Sequence, residues 1–268
     1  LEAGPLVQAG LFQTAEGDHL FIGVHHLVVD GVSWRILLED LAAGYEQASQ
    51  GREIRLPEKT HSFREWAEQL HAYANSRTLL KEKAYWKSIG LEEVPPLPRD
   101  WGVAVRLWGS TETVGIGLNE RQTGQLLQEV NPAYHTEIND ILLTALGQAI
   151  GEWTNGAKVA IHMEGHGREE MVEGMNISRT VGWFTSEYPV VLELDPGGSL
   201  SLHIKQTKEM LRRIPNKGVG YGLLKYLTSS EQTSDMTFGG SRRSASIIWV
   251  SLVRQRNMSR YSDFRICR

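Results

Sequence analysis

The chain has 268 residues, 41% of them hydrophobic, a formal net charge of −4 and a single cysteine, which suits one large core or two small lobes and excludes a disulfide framework or thiolate metal cluster. The acidic balance gives no broad basic surface, so neither nucleic acid nor an anionic membrane is an expected partner. Without a basic-then-apolar leader or an apolar window near the roughly 18 residues of a membrane span, the expectation is a soluble cytoplasmic protein.

The alternating stretch from Leu6 to Phe12 and the continuous apolar run from Leu20 to Val24 predict two neighbouring strands, the second of them buried. Trp34, Leu37, Leu38, Leu41 and Tyr45 recur at helical spacing, so strand gives way to helix across His25 to Ser33. Ser62 and Glu65 form a capping-box pattern, and Phe63, Trp66, Leu70 and Tyr73 predict a helix continuing toward Trp86. Pro95, Pro96 and Pro98 end it and mark an inter-lobe linker.

Val103, Val105 and Leu107 alternate as a strand does, and Asn119 with Gln122 caps a helix carrying Leu126, Leu127 and Val130. Ile138, Ile141, Leu142, Ala145, Leu146 and Ala149 predict an amphipathic helix. After Asn155-Gly156, Val159, Ile161 and Met163 occupy one face of a strand that runs into a loop at Glu164. Tyr188 to Leu194 is a further strand, and Met210, Leu211 and Ile214 close a helix that stops at Pro215. From Ser241 onward there are seven Arg, no Lys and six Ser, with neither helical nor strand periodicity.

Two polar clusters stand at element ends. In His25-His26-Leu27-Val28-Val29-Asp30-Gly31, a shared metal ion is disfavoured because successive strand side chains point to opposite faces. One histidine packing inward with Asp30 capping the helix is the reading that spacing alone favours. A general base is the other, because an imidazole of ordinary pKa, ~6.5, is largely neutral at cytoplasmic pH. The second cluster, His162-Met163-Glu164-Gly165-His166-Gly167-Arg168-Glu169, starts with the His-x-Glu of zinc deaminases, but the Cys-x-x-Cys they need is absent. By residue type alone, Glu164 and Arg168 fit a solvated charged loop as well as a site. No phosphate-binding loop and no Gly-x-Ser-x-Gly elbow occurs, and Gly218-Val219-Gly220-Tyr221-Gly222 lacks the preceding strand of a dinucleotide site.

His25 to Trp34 resembles the His-His-x-x-x-Asp signature of the condensation superfamily of nonribosomal peptide synthetases. The segments Asn139 to Gly147, Glu164 to Glu169, Arg179 to Pro189 and Lys217 to Gly222 are similar to successive epimerization-domain motifs, in family order. The resemblance covers about residues 1 to 240, and the Glu-Gly-His-Gly-Arg-Glu run is what separates it from ordinary condensation domains. It implies a two-lobed, chloramphenicol-acetyltransferase-like α/β fold with a tunnel between the lobes. Residues 1–98 would form a partial N-terminal lobe, 99–240 the C-terminal lobe, and 241–268 an aberrant tail.

The resemblance further implies inversion of the α-carbon of a carrier-bound aminoacyl or peptidyl thioester. His26 and Glu164 would be the proton-transfer pair, supported by His25, Asp30 and Arg168. Arg168 would lend positive potential, and Asp30 would orient the histidine turn by capping or by pairing with an arginine across the lobes. No metal or cofactor of its own is expected, since the substrate arrives on the phosphopantetheine arm of a peptidyl carrier domain beside other synthetase domains. A condensation domain that forms a peptide bond, or an inactive remnant that docks a carrier domain, are the alternatives. The family's Pro-Ile-Gln and Phe-Asn-Tyr-Leu-Gly motifs are missing at the two ends, so an incomplete, poorly stable chain is expected. Ser246 to Leu252 can be back-translated so that a two-base shift spells Asn-Tyr-Leu-Gly-Gln-Phe, which suggests a tail read out of frame, with no role for Trp249, Arg254 or Cys267.

Overall fold

The computed structural model describes residues 3–98, 117–238 and 245–248. The strand expected at Val103, Val105 and Leu107 lies outside them, as do Trp249, Arg254 and Cys267.

The chain begins with a hairpin of β1 (Val7–Thr14) and β2 (Gly17–Val24), antiparallel with Leu11 opposite Leu20. β2 is not the buried strand its apolar run predicts. Leu11 is 62% exposed, Phe12 59%, Leu20 50% and Phe21 61%. The Phe12 and Phe21 rings lie over Gly10 and Gly23 of their own strands, and among the described residues both stay largely exposed. An apolar run signals surface that favours cover; it does not specify what provides it.

α1 (Gly31–Ser49) follows, capped by Asp30. The predicted single helix from Phe63 toward Trp86 is instead three: α2 (Phe63–Tyr73), α3 (Arg77–Leu80) and α4 (Lys83–Leu91). Ser76 makes the break, its hydroxyl accepting from the Leu79 N–H and starting a new turn. The capping box at α2 is present, with Glu65 N–H donating to Ser62 Oγ at 3.1 Å and Ser62 N–H to Glu65 Oε2 at 2.7 Å. Pro95, Pro96 and Pro98 lie exposed in a stretch without helix or strand.

After the Asn119–Gln122 capping box come α5 (Glu120–Gln125), a π-helical turn (Leu126–Val130) and α6 (Asn131–Tyr134). α7 (Ile138–Thr154) ends on Asn155 in the left-handed region, φ 52°, and β3 (Lys158–Gly165) returns antiparallel to β4 (Ser186–Glu193). Val159, Ile161 and Met163 point into the core as the alternation predicts. Glu164 is thus the penultimate residue of β3 rather than part of a loop. α8 (Leu200–Arg212), a 3-10 turn (Pro215–Gly218), α9 (Val219–Tyr226) and α10 (Ser230–Thr233) complete the main body.

A last strand, β5 (Ala245–Ile248), pairs parallel with β3, giving the order β4-β3-β5. This corrects the expectation that nothing beyond Ser241 has strand character. A short apolar stretch can add to the second edge of β3 through main-chain hydrogen bonds, which four residues supply without visible alternation.

The core joins both halves of the sequence. Ala74, Leu79 and Trp86 pack with Leu143, Val159, Ile161, Tyr188, Val190, Leu192 and Leu224. Within it the buried Glu82 carboxylate accepts from Trp86 Nε1 at 3.0 Å and Asn216 Nδ2 at 2.6 Å, tying the start of α4 to the turn before α9. A second small cluster of Trp66, Ile177 and Phe184 sits under the polar site.

Candidate active site

β2 ends at Val24, and the chain turns sharply through a 3-10 turn, His26–Val28. His25 precedes the turn, its Nδ1 accepting from the Leu27 N–H at 3.2 Å, while its backbone N–H donates to Leu6 O at 2.8 Å. That bond commits the His25 ring to shaping the turn. His26 is exposed, and its ring lies 4.9 Å from that of Trp183, tilted by 58°.

Asp30 then caps α1. Its Oδ1 accepts from the Ser33 N–H at 2.7 Å, and the residue is only 5% exposed. A carboxylate so far from water needs a counter-charge. Arg168 supplies it: Nη2 donates to Oδ1 at 3.1 Å and Oδ2 at 3.3 Å. The same guanidinium donates through Nη1 to the carbonyls of Ile177 at 3.0 Å and Thr180 at 2.8 Å, and lies 4.0 Å over the Phe184 ring. With its side chain 7% exposed and Asp30 against it, Arg168 acts as an internal clasp, and its charge is spent on Asp30 before it can act on a ligand. Asp30 both caps its helix and pairs with the arginine.

Ser33, inside the His25 to Trp34 motif, and the segment ahead of β4, inside the Arg179 to Pro189 motif, were given no individual role from the sequence, and they complete the clasp. Ser33 Oγ donates to Gly182 O at 2.9 Å and accepts from Gly182 N–H and Arg168 Nη2, both at 3.0 Å. That uses its one donor and both lone pairs. The Phe184 N–H donates to Asp30 Oδ2 at 3.2 Å. A serine three residues beyond a capping aspartate looks like any helix-start polar residue, so only its position in space reveals this role.

Arg168 is delivered by the loop leaving β3. Gly167 has φ +67°, and a Cβ there would lie 1.6 Å from the Phe184 carbonyl oxygen; only glycine permits this approach. His166 Nδ1 accepts from the Arg168 N–H at 3.0 Å, and its Nε2 lies 3.3 Å from Glu169. Glu169 also lies 3.6 Å from Lys217 Nζ. Burial, and secondarily the charge of Glu169, pushes the Tyr188 hydroxyl above its ordinary value, so it stays a neutral donor.

Glu164 is partly buried, directly opposite Glu187 in the β3–β4 ladder. The His26 partner Trp183 is four residues before Glu187, a span of at most about 14 Å when fully extended. The structure therefore gathers His26, Asp30, Arg168 and Glu164 around one segment, residues 182–187. Asn216 (φ 43°), Lys217 (φ 47°) and Gly218 (φ +88°) make three consecutive left-handed residues beside it, the Lys217 carbonyl packing at Gly165.

The sequence profile of the Condensation domain family matches residues 1–239. The chain belongs to that family. Among curated relatives, this condensation-family chain is 54% identical over 239 residues to surfactin synthase subunit 1 of Bacillus subtilis (strain 168) and 52% identical over 239 residues to tyrocidine synthase 1 of Brevibacillus parabrevis. Each match covers 89% of the chain, but only 7% and 22% of those synthases. Among solved structures, the crystal structure of the epimerization domain from the third module of tyrocidine synthetase B superposes with a TM-score of 0.83 at 51% identity, covering 88% of this chain and 54% of that one. The first condensation domain of the CDA synthetase superposes with a TM-score of 0.63 at 21% identity, over 90% of this chain and 50% of that one. The fold is accordingly the two-lobed, chloramphenicol-acetyltransferase-like α/β fold of these domains, and the chain spans about half of it. No helix among the described residues is long and apolar enough to cross a membrane.

Proposed function

We propose that this condensation-family chain carries the proton-transfer groups of an epimerase that inverts the α-carbon of an aminoacyl or peptidyl thioester. The observation that carries the reading is the Asp30–Arg168 clasp, at 3.1 Å. It binds the turn bearing His26 to the loop that leaves Glu164, within a sequence 51% identical to a solved epimerization domain. The likeness to condensation domains at 21% identity supports the fold alone.

Inversion breaks the Cα–H bond on one face and makes it on the other. One group takes the proton, the electron pair moves onto the thioester carbonyl as a planar enolate, and a second group returns a proton from the opposite side. A neutral imidazole and a carboxylic acid form such a pair, exchanging roles in the reverse direction. His26 and Glu164 hold these roles here. Asp30, Ser33 and Arg168 are positioning groups, and His25 shapes the turn. The substrate comes covalently on the phosphopantetheine arm of a peptidyl carrier domain, among neighbouring synthetase domains in the cytoplasm, and the reaction needs no metal.

The test is to graft this sequence into the matching segment of the tyrocidine synthetase B epimerization domain and supply a loaded carrier. The expected result is exchange of the substrate α-proton with solvent deuterium, abolished by His26→Ala and by Glu164→Gln with thioester loading intact. Exchange at the parental rate in both variants overturns the reading. Peptide-bond formation without exchange would assign condensation instead, and carrier binding without either activity an inert docking unit.

A further inference from the structure

We propose that Trp183 is the positioning residue of His26, holding the imidazole ring and stabilising the imidazolium formed when that ring takes up a proton. The inference rests on His26 being a proton-transfer group.

Neither ring nitrogen of His26 is engaged in a hydrogen bond among the described residues, so among them no polar group fixes the ring. Its ring partner there is Trp183, centroid to centroid 4.9 Å and tilted by 58°. This lies within the roughly 6 Å at which a cation over an aromatic face is stabilised. A positive charge developing on the imidazole during proton transfer gains more from an aromatic neighbour than a neutral ring does. An aromatic support also leaves both ring nitrogens available, which a hydrogen-bonded orienting group would not.

Trp183 is delivered to that place by a built device. The residues on either side are fixed to the start of α1: Gly182 by Ser33 Oγ through both its N–H and its carbonyl, and Phe184 by Asp30 Oδ2. Gly182 and Phe184 are buried while Trp183 is 43% exposed. The segment therefore alternates as extended backbone does and turns the indole to the side opposite the clasp. Gly182 is needed for this, since a Cβ there would lie 2.2 Å from the Phe63 ring. The clasp and the indole are thus one arrangement: the bonds that dock α1 also set the residue against which His26 leans.

The experiment compares Trp183→Phe and Trp183→Leu in the grafted epimerization domain, each checked for an unchanged melting temperature. Trp183→Leu is expected to lower kcat roughly five- to thirtyfold with KM for the loaded carrier unchanged, and Trp183→Phe to keep kcat within roughly threefold of the parent. In the 268-residue chain itself, the His26 ring-proton resonance, identified by its loss in His26→Ala, is expected to carry a ring-current shift. That shift should disappear in Trp183→Leu and persist in Trp183→Phe. A raised KM with kcat intact would make Trp183 a substrate wall and overturn the proposal. So would parental kcat in Trp183→Leu, or a Phe variant as impaired as the Leu variant. If His26→Ala leaves exchange untouched, the epimerase reading fails first; if it abolishes exchange while Trp183→Leu does not, only this inference falls.

Discussion

Breaking the Asp30–Arg168 pair one side at a time should cost far more than removing both charges. Asp30→Asn keeps an oxygen for the Ser33 N–H but leaves the guanidinium, 7% exposed on its side chain, without its counter-charge. Truncating one partner of a buried ion pair destabilises by about 3–5 kcal/mol. The remaining acceptors of Arg168, the Ile177 and Thr180 carbonyls and Ser33 Oγ, place the loss near the lower end, about 3 kcal/mol. Arg168→Met leaves Asp30 with the N–H groups of Ser33 and Phe184, so a similar loss of about 3 kcal/mol is expected. In the double variant no unpaired charge remains, and the total should stay well under the sum, near about 3 kcal/mol, a coupling of about 3 kcal/mol. Urea unfolding of the four proteins, followed by tryptophan fluorescence with a common slope, measures the cycle. Losses that add within about 0.5 kcal/mol, or single losses under about 1 kcal/mol, would refute the clasp as an energetic unit.

Gly167→Ala and Gly51→Ala make a matched pair, because both glycines are left-handed, at φ +67° and +66°, but only the Cβ at 167 meets anything, the Phe184 oxygen at 1.6 Å. Gly51→Ala should cost about 1–2 kcal/mol in urea midpoint terms and Gly167→Ala distinctly more; equal losses would show that the loop can step aside. Replacing Phe12 and Phe21 by threonine should reduce aggregation of the isolated chain in light scattering without lowering its urea midpoint, since both side chains are already about three-fifths exposed, at 59% and 61%. Undiminished aggregation would locate the sticky surface elsewhere.

Periodicity made most of the architecture legible. The pairs Ser62/Glu65 and Asn119/Gln122 announced their helices because a capping box is a local device, complete within four residues. Val159, Ile161 and Met163 gave the inner face of β3 for the same reason, and Asp30 showed itself as a cap. Features that depend on partners far along the chain were hidden. Nothing local distinguishes Ser33 from any polar residue at a helix start, and its bonds reach residues 135 and 149 positions away. The exposure of Leu20 and Phe21 depends on which surfaces meet, and the contact of Trp183 with His26 on how two loops fold together. The division of the predicted helix at Ser76 is a local competition between a side-chain cap and continued helix, which the apolar spacing of Phe63 to Trp86 overrode.

The clasp also dates itself within the folding of the chain. Its bonds join Arg168 to Asp30, Gly182 to Ser33 and Phe184 to Asp30, across 138, 149 and 154 positions, whereas the β3–β4 ladder starts by pairing Gly165 with Ser186. Short-range pairing closes a small loop, while contacts over such separations must first meet the entropy of ordering everything between them. Until α1 docks, the guanidinium of Arg168 has carbonyls to bond but no charge to balance it, which keeps its loop from settling early. The order this implies is the β3–β4 ladder first, docking of α1 last. His26 then reaches Trp183 in the same step that neutralises Arg168, so a half-folded chain presents neither a set imidazole nor a closed loop beneath it.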